Sequence, residues 1–145
     1  MKGLVLAEFG RLQVVDYPDP VAAPGDVLVA IAHTGICGTD LHGYTGANGR
    51  RVPGMVMGHE TAGTVAAVGS GVSRFAPGQA VTVNPVVVPA DDAEAWQGRE
   101  QQHPGKYVIG VKPDVVAAFA QLVAVPARNV VPLPAGMPTT HGALV

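Results

Sequence analysis

Short aliphatic runs recur along this chain, and each is broken within a few residues by Gly, Pro, Asn or Asp. Residues 4–8, 12–16, 27–34, 61–68, 80–83, 118–125 and 129–133 follow this pattern. Valine is frequent in them and turn-formers bound them, so all seven are predicted to be strands. Seven short strands joined by tight turns predict a mainly β domain, a small barrel or sandwich, with no long helix. One short helix is expected over 38–44, where Thr39 and Asp40 can cap the start and Leu41 offers an inward contact. A second helix start follows Pro134, with Thr139 or Thr140 as its N-cap.

Residues 85–106 break the pattern. They bring together Asp91, Asp92, Glu94, Arg99, Glu100, two adjacent glutamines and His103, with little apolar periodicity, and they predict an exposed lobe leaving the barrel.

Composition narrows the picture further. The 145 residues include 19 Gly and 13 Pro, which suits a turn-rich β domain. With 48% hydrophobic and 14% charged residues the chain can bury a core, and at this size folding removes roughly two-thirds of the unfolded surface from water. A disordered chain is excluded. The net charge is −2 and the nine Lys and Arg are dispersed, so neither nucleic acid nor an anionic lipid surface is an expected partner. The opening apolar run, 3–7, stops at Glu8, and no stretch approaches the ~18 apolar residues of a membrane span. Cys37 is the only cysteine, which excludes an internal disulfide and a four-cysteine zinc site. A reducing, cytoplasmic setting is expected.

Two clusters carry candidate chemistry: Gly-Ile-Cys-Gly-Thr-Asp-Leu-His at 35–42 and Gly-His-Glu-Thr-Ala-Gly at 58–63. Together they supply a thiol, an imidazole and a carboxylate, Cys37, His59 and Glu60, among small residues that leave access open. Zinc takes such a mixed set, and catalytic zinc keeps three protein ligands with one open position. The residues alone leave a second reading open, a buried cysteine beside two surface polar groups. Gly-Ser-Gly-Val-Ser-Arg at 69–74 imitates a dinucleotide fingerprint but has Arg74 in place of its last glycine, and reads as a turn.

These clusters sit in an ordered series that runs the length of the chain. It includes Met-Lys-Gly-Leu-Val at 1–5, Pro-Gly-Asp-Val-Leu-Val at 24–29, and the run from Gly58 that continues as Thr-Val-Ala-Ala-Val-Gly-Ser-Gly-Val to residue 72. Phe-Ala-Pro-Gly at 75–78, Val-Thr-Val-Asn-Pro at 81–85, Phe-Ala-Gln-Leu-Val-Ala-Val-Pro at 119–126 and Asn-Val-Val-Pro-Leu-Pro at 129–134 complete it. The series resembles the zinc-dependent medium-chain alcohol dehydrogenases, which include sorbitol, butanediol and threonine dehydrogenases. The resemblance implies a GroES-like barrel with short helices and an extended lobe, spanning 1–145 as one zinc-binding catalytic domain. It implies that Cys37, His59 and Glu60 hold one catalytic zinc, that Thr39 accepts the proton of a small-molecule alcohol substrate, and that His42 passes it to solvent. It further implies Lewis-acid catalysis, with zinc polarising the alcohol oxygen and a hydride passing to NAD or NADP. Asp40 is expected to orient a ligand rather than bind metal. His33, His103 and His141 match no functional position.

The chain also departs from its resemblance. Many relatives carry a second, structural zinc on four cysteines in the lobe, whereas 85–106 has no cysteine, so the lobe is expected to be metal-free and to be the most mobile part of the chain or to organise round Trp96. Gln79 stands where the pattern has Asp. The Rossmann cofactor domain of the family is absent from these residues, as is a further ligand or supporting acid beyond residue 145. The expectation is therefore a domain inactive by itself, which self-associates through the apolar face around the zinc cleft and 139–145. The alternative from another class is a metal-free GroES-like binding or assembly module.

Overall fold

A computed structural model of the chain describes residues 1–144; Val145, part of the expected association face, lies outside the described residues. The first two strands, β1 (Lys2–Glu8) and β2 (Arg11–Asp16), form an antiparallel hairpin. Next come β3 (Asp26–Thr34), α1 (Gly38–Tyr44), β4 (Thr61–Val68) and β5 (Ala80–Val83). The chain continues through β6 (Val86–Val87), β7 (Tyr107–Val108), β8 (Leu122–Pro126), β9 (Val130–Pro132) and α2 (Thr139–Gly142). A five-stranded antiparallel sheet has the order β8-β3-β4-β5-β9. The hairpin joins its rim through bridges from Gly3 to Ala120 and from Val5 to Val56, and β6 pairs with β7 at the base of the lobe. None of the described helices is long and apolar enough to cross a membrane.

Alternation explains the core. In β3 the buried positions are Val27 and Val29, and in β8 they are Val123 and Val125, two apart, because successive side chains in a strand face opposite ways. These valines meet Val65, Val81, Val130 and Phe75 in one cluster, and Leu6, Met55 and Met57 form a second beneath the hairpin. Full burial of each such side chain is worth about 1.5–3 kcal/mol.

The fold is mainly β with two short helices, as the hydrophobic pattern predicts, but several boundaries move. Residues 118–121 lie before β8; there the Leu4 amide donates to the Phe119 carbonyl and the Phe119 amide to that of Met57, tying hairpin to sheet. Asn129 ends a 3₁₀ turn instead of starting a strand, because its side-chain amide donates to the carbonyls of Asn84 and Val86. The helix differs as well: Leu41, expected to face inward, is exposed, and the buried positions of α1 are Asp40 and Gly43. Cys37 is the N-cap of α1 and Asp40 reaches back to its amide, so Thr39 is released from capping. Pro138 precedes α2, and the Thr139 hydroxyl pairs instead with Nδ1 of His33 at 2.9 Å.

The lobe is organised by a histidine that the sequence left without a role. His103 is buried, its Nδ1 accepts from the Gly105 amide at 2.9 Å, and its Nε2 lies 3.1 Å from Asp92 Oδ2. Because Nδ1 is an acceptor, the network assigns the ring proton to Nε2, which donates to Asp92. Trp96 meets the ring edge-on with centroids 4.9 Å apart, and Arg99 covers Trp96.

Candidate metal centre

The ladder between β3 and β4 ends with Thr34 opposite Thr61. Beyond it the two chains stay together: the Gly35 amide donates to the Glu60 carbonyl at 2.7 Å, and the Thr34 hydroxyl donates to the same oxygen at 3.0 Å. This register sets 35–37 beside 58–60. Cys37 then enters α1, its amide held by Asp40 Oδ2 at 3.1 Å. In consequence Cys37, His59 and Glu60, all half-buried, each present one donor atom within 4.8 Å of the other two.

Behind His59 lies a buried charge pair. Asp40 Oδ1 is 3.5 Å from His59 Nδ1, and it accepts from a terminal nitrogen of Arg51 at 3.3 Å. Both Asp40 and Arg51 are 2% exposed. With Nδ1 toward Asp40, the ring leaves Nε2 on the side of Thr39, whose hydroxyl is 3.4 Å away. The charges reinforce one another. Asp40 raises the His59 imidazole above its ordinary pKa, against the pull of burial and with help from Cys37. Burial would raise Asp40, but His59, the Cys37 amide and Arg51 outweigh it and hold the carboxyl below its usual value. The Thr39 hydroxyl and amide, then the His59 ring, lower the Cys37 thiol.

The donor set fits zinc. A thiol already biased toward thiolate, an imidazole whose far nitrogen faces a carboxylate, and a carboxylate beside them match zinc's N/S/O preference and the usual support of a ligating histidine. Thr39 is exposed above this triad. His42, one turn further along α1, is exposed, and among the described residues no hydrogen bond joins it to Thr39. An apolar groove of about 620 Å³ is bordered by Leu4, Leu12, Ile36, Leu41, Tyr44 and Phe119, with Arg11, Thr34 and Asp40 at its polar edge; none of Cys37, His59 and Glu60 lines it. A separate cleft of about 290 Å³ between lobe and barrel, lined by Arg74, Arg128, Glu94 and Glu100, holds none of the candidate residues. Sequence reasoning missed Arg51; the only signal for it was a charge placed directly before the apolar run that leads into Gly58.

Known proteins share this arrangement of strands. The chain is 38% identical over 138 residues to an L-threonine 3-dehydrogenase of Ruegeria pomeroyi, covering 92% of this chain and 40% of that protein. It superposes on galactitol-1-phosphate dehydrogenase from Escherichia coli with a TM-score of 0.88 at 32% identity, covering 99% of this chain and 41% of the other. Acetophenone reductase from Geotrichum candidum, solved in complex with NAD, gives a TM-score of 0.82 at 26% identity over 99% of this chain and 42% of that one. The chain thus spans about two-fifths of the length of these relatives. The family described as the alcohol dehydrogenase GroES-like domain matches residues 23–135, a range that takes in every strand of the five-stranded sheet. By that match the chain belongs to the alcohol dehydrogenase GroES-like domain family.

Proposed function

We propose that this chain is the zinc-binding catalytic domain of an NAD(P)-dependent alcohol or polyol dehydrogenase. The observation that carries the reading is the convergence of Cys37 with the adjacent pair His59 and Glu60, distant from it in sequence, to within 4.8 Å. A zinc ion bound there supplies Lewis-acid polarisation of an alcohol oxygen. The chain's own residues do the rest on this side of the site. Cys37 and His59 hold the metal, and Glu60 binds it directly or exchanges with water. Thr39, exposed beside His59, accepts the substrate proton at Oγ1, and His42, on the same face of α1 one turn on, takes it toward solvent.

The nicotinamide is assigned to residues outside these 145. The length of the relatives supports this, since this chain covers only 40% of the threonine dehydrogenase. Without a group to hold the dinucleotide near the metal, the chain alone is expected to show no alcohol oxidation with NAD or NADP. Ile36 and Leu41, 71% and 58% exposed at the groove, give it an apolar face through which it is expected to self-associate.

Metal analysis tests the reading. About one zinc per chain after loading is expected. No zinc after careful loading at neutral pH overturns it and leaves the metal-free binding module. Measurable NAD(P)-dependent oxidation by the pure chain would overturn the assignment of the nicotinamide elsewhere, and a clean monomer in sedimentation at high concentration would overturn the association.

A further inference from the structure

Arg51 is among the most deeply buried large side chains of the protein, although it is charged. Its guanidinium reaches Asp40 Oδ1 at 3.3 Å, and its Nε has no hydrogen-bond partner among the described residues. Room for it is built into α1. A Cβ on Gly43 would lie 2.3 Å from Arg51 Cγ and 3.2 Å from its Cβ, so the stem passes under the helix only because position 43 is glycine. The same helix carries Cys37 at its N-cap and Asp40 on its first turn.

Stability alone explains this poorly. A buried ion pair is often no more stable than an apolar pair of the same volume, and here one guanidinium nitrogen is also left unpaired. Orientation explains it better. Asp40 divides its oxygens: Oδ2 accepts the Cys37 amide at 3.1 Å, while Oδ1 accepts Arg51 and lies 3.5 Å from Nδ1 of His59, a charge contact in which Nδ1 makes no hydrogen bond among the described residues. Among the described residues Arg51 is the only hydrogen-bond donor fixing Oδ1.

We propose that Arg51 is a positioning residue for the metal centre: through Asp40 it fixes the plane of the His59 ring, so that Nε2 points at the site shared with Cys37 and Glu60. The inference rests on the zinc reading above.

The test measures zinc affinity by chelator competition on the purified chain, together with the absorption spectrum of the cobalt(II)-loaded form, which reports ligand geometry directly. If the parent binds no zinc, the metal reading itself falls and this inference with it. If the parent binds, Arg51→Met is expected to lose about 10–100-fold in affinity and to shift the cobalt spectrum. Asp40→Asn should lose at least as much, since Asp40 also holds the Cys37 amide, and the double variant little more than Asp40→Asn, because Arg51 acts through Asp40. Arg51→Lys keeps the charge without the planar fork, and should lose roughly threefold to tenfold. A folded Arg51→Met with unchanged affinity and spectrum overturns the proposal, as do losses that simply add in the double variant. Should Arg51→Met fail to fold, Arg51→Lys decides: a weaker site with a shifted spectrum sustains the proposal, and identity with the parent in both overturns it.

Discussion

A Cβ placed on Gly35 would lie 2.4 Å from Oε2 of Glu60, so the Glu60 carboxylate occupies the space that any side chain at position 35 would need. Gly35 does not have a positive φ, and alanine is therefore tolerated there by the backbone. Gly35→Ala is expected to leave the fold intact and to push the carboxylate away from Cys37 and His59. Zinc affinity should fall by about tenfold, the lower part of the range for losing support around a metal. Circular dichroism and a chelator titration on the same sample check this; an unchanged affinity would show that Glu60 takes no part in holding the metal.

Cys37 belongs to neither buried cluster, and its place in the structure comes from its backbone, which Asp40 holds. Cys37→Ala should accordingly remove most of the zinc affinity while the valine core keeps its thermal transition. Elemental analysis after loading, beside a melting curve, reads both effects. An unchanged zinc stoichiometry in this variant would remove Cys37 from the site.

The lobe offers an independent check on the fold. His103→Ala removes the acceptor of the Gly105 amide, the partner of Asp92 and the ring that Trp96 packs on. Leaving these groups unpaired should lower the local opening free energy by about 1–3 kcal/mol, confined to the lobe. Amide hydrogen exchange is expected to quicken over residues 88–106 and to stay unchanged in β4. Equal protection of the lobe in parent and variant would mean that another contact holds it.

Tyr107, half-buried on β7, has its hydroxyl pushed above the ordinary phenol value by burial, with Arg128 opposing and Asp26 adding. The sign follows from linkage. A pKa raised in the folded state contributes stability that is fully present below about 10 and is lost as the pH rises through the raised folded value. The β6–β7 pair should therefore loosen on the alkaline side only. An ultraviolet titration should contain a phenol step above the ordinary value, and Tyr107→Phe should abolish that step. A titration without such a step, or one in which it survives the substitution, would contradict the assignment.

Much of the fold was legible in the sequence because a strand's preference is local. Valines two apart, as at 27 and 29 or 123 and 125, announce a buried face whatever they later pair with, and the segment 38–44 carried its own signal for a short helix. The residue types that meet at the candidate centre could likewise be named, since thiol, imidazole and carboxylate stand out among small neighbours and sit in an ordered series of motifs. What the linear order could not decide was everything that depends on a partner distant along the chain. The register that sets Thr34 against Thr61, and so brings Cys37 to His59, is a choice among possible pairings of two valine- and alanine-rich strands. Thr39 and Thr139 both had the chemistry of a helix cap, yet one faces His59 and the other binds His33, because those imidazoles are delivered by other elements. For Arg51 the charge ahead of an apolar run was too weak a signal to set against the usual surface placing of arginine; the packing of α1, with a glycine at 43 and a carboxylate at 40, turns it inward. Propensity and periodicity describe what each residue favours by itself, whereas a site is made of side chains from segments that meet only once the sheet has closed its register.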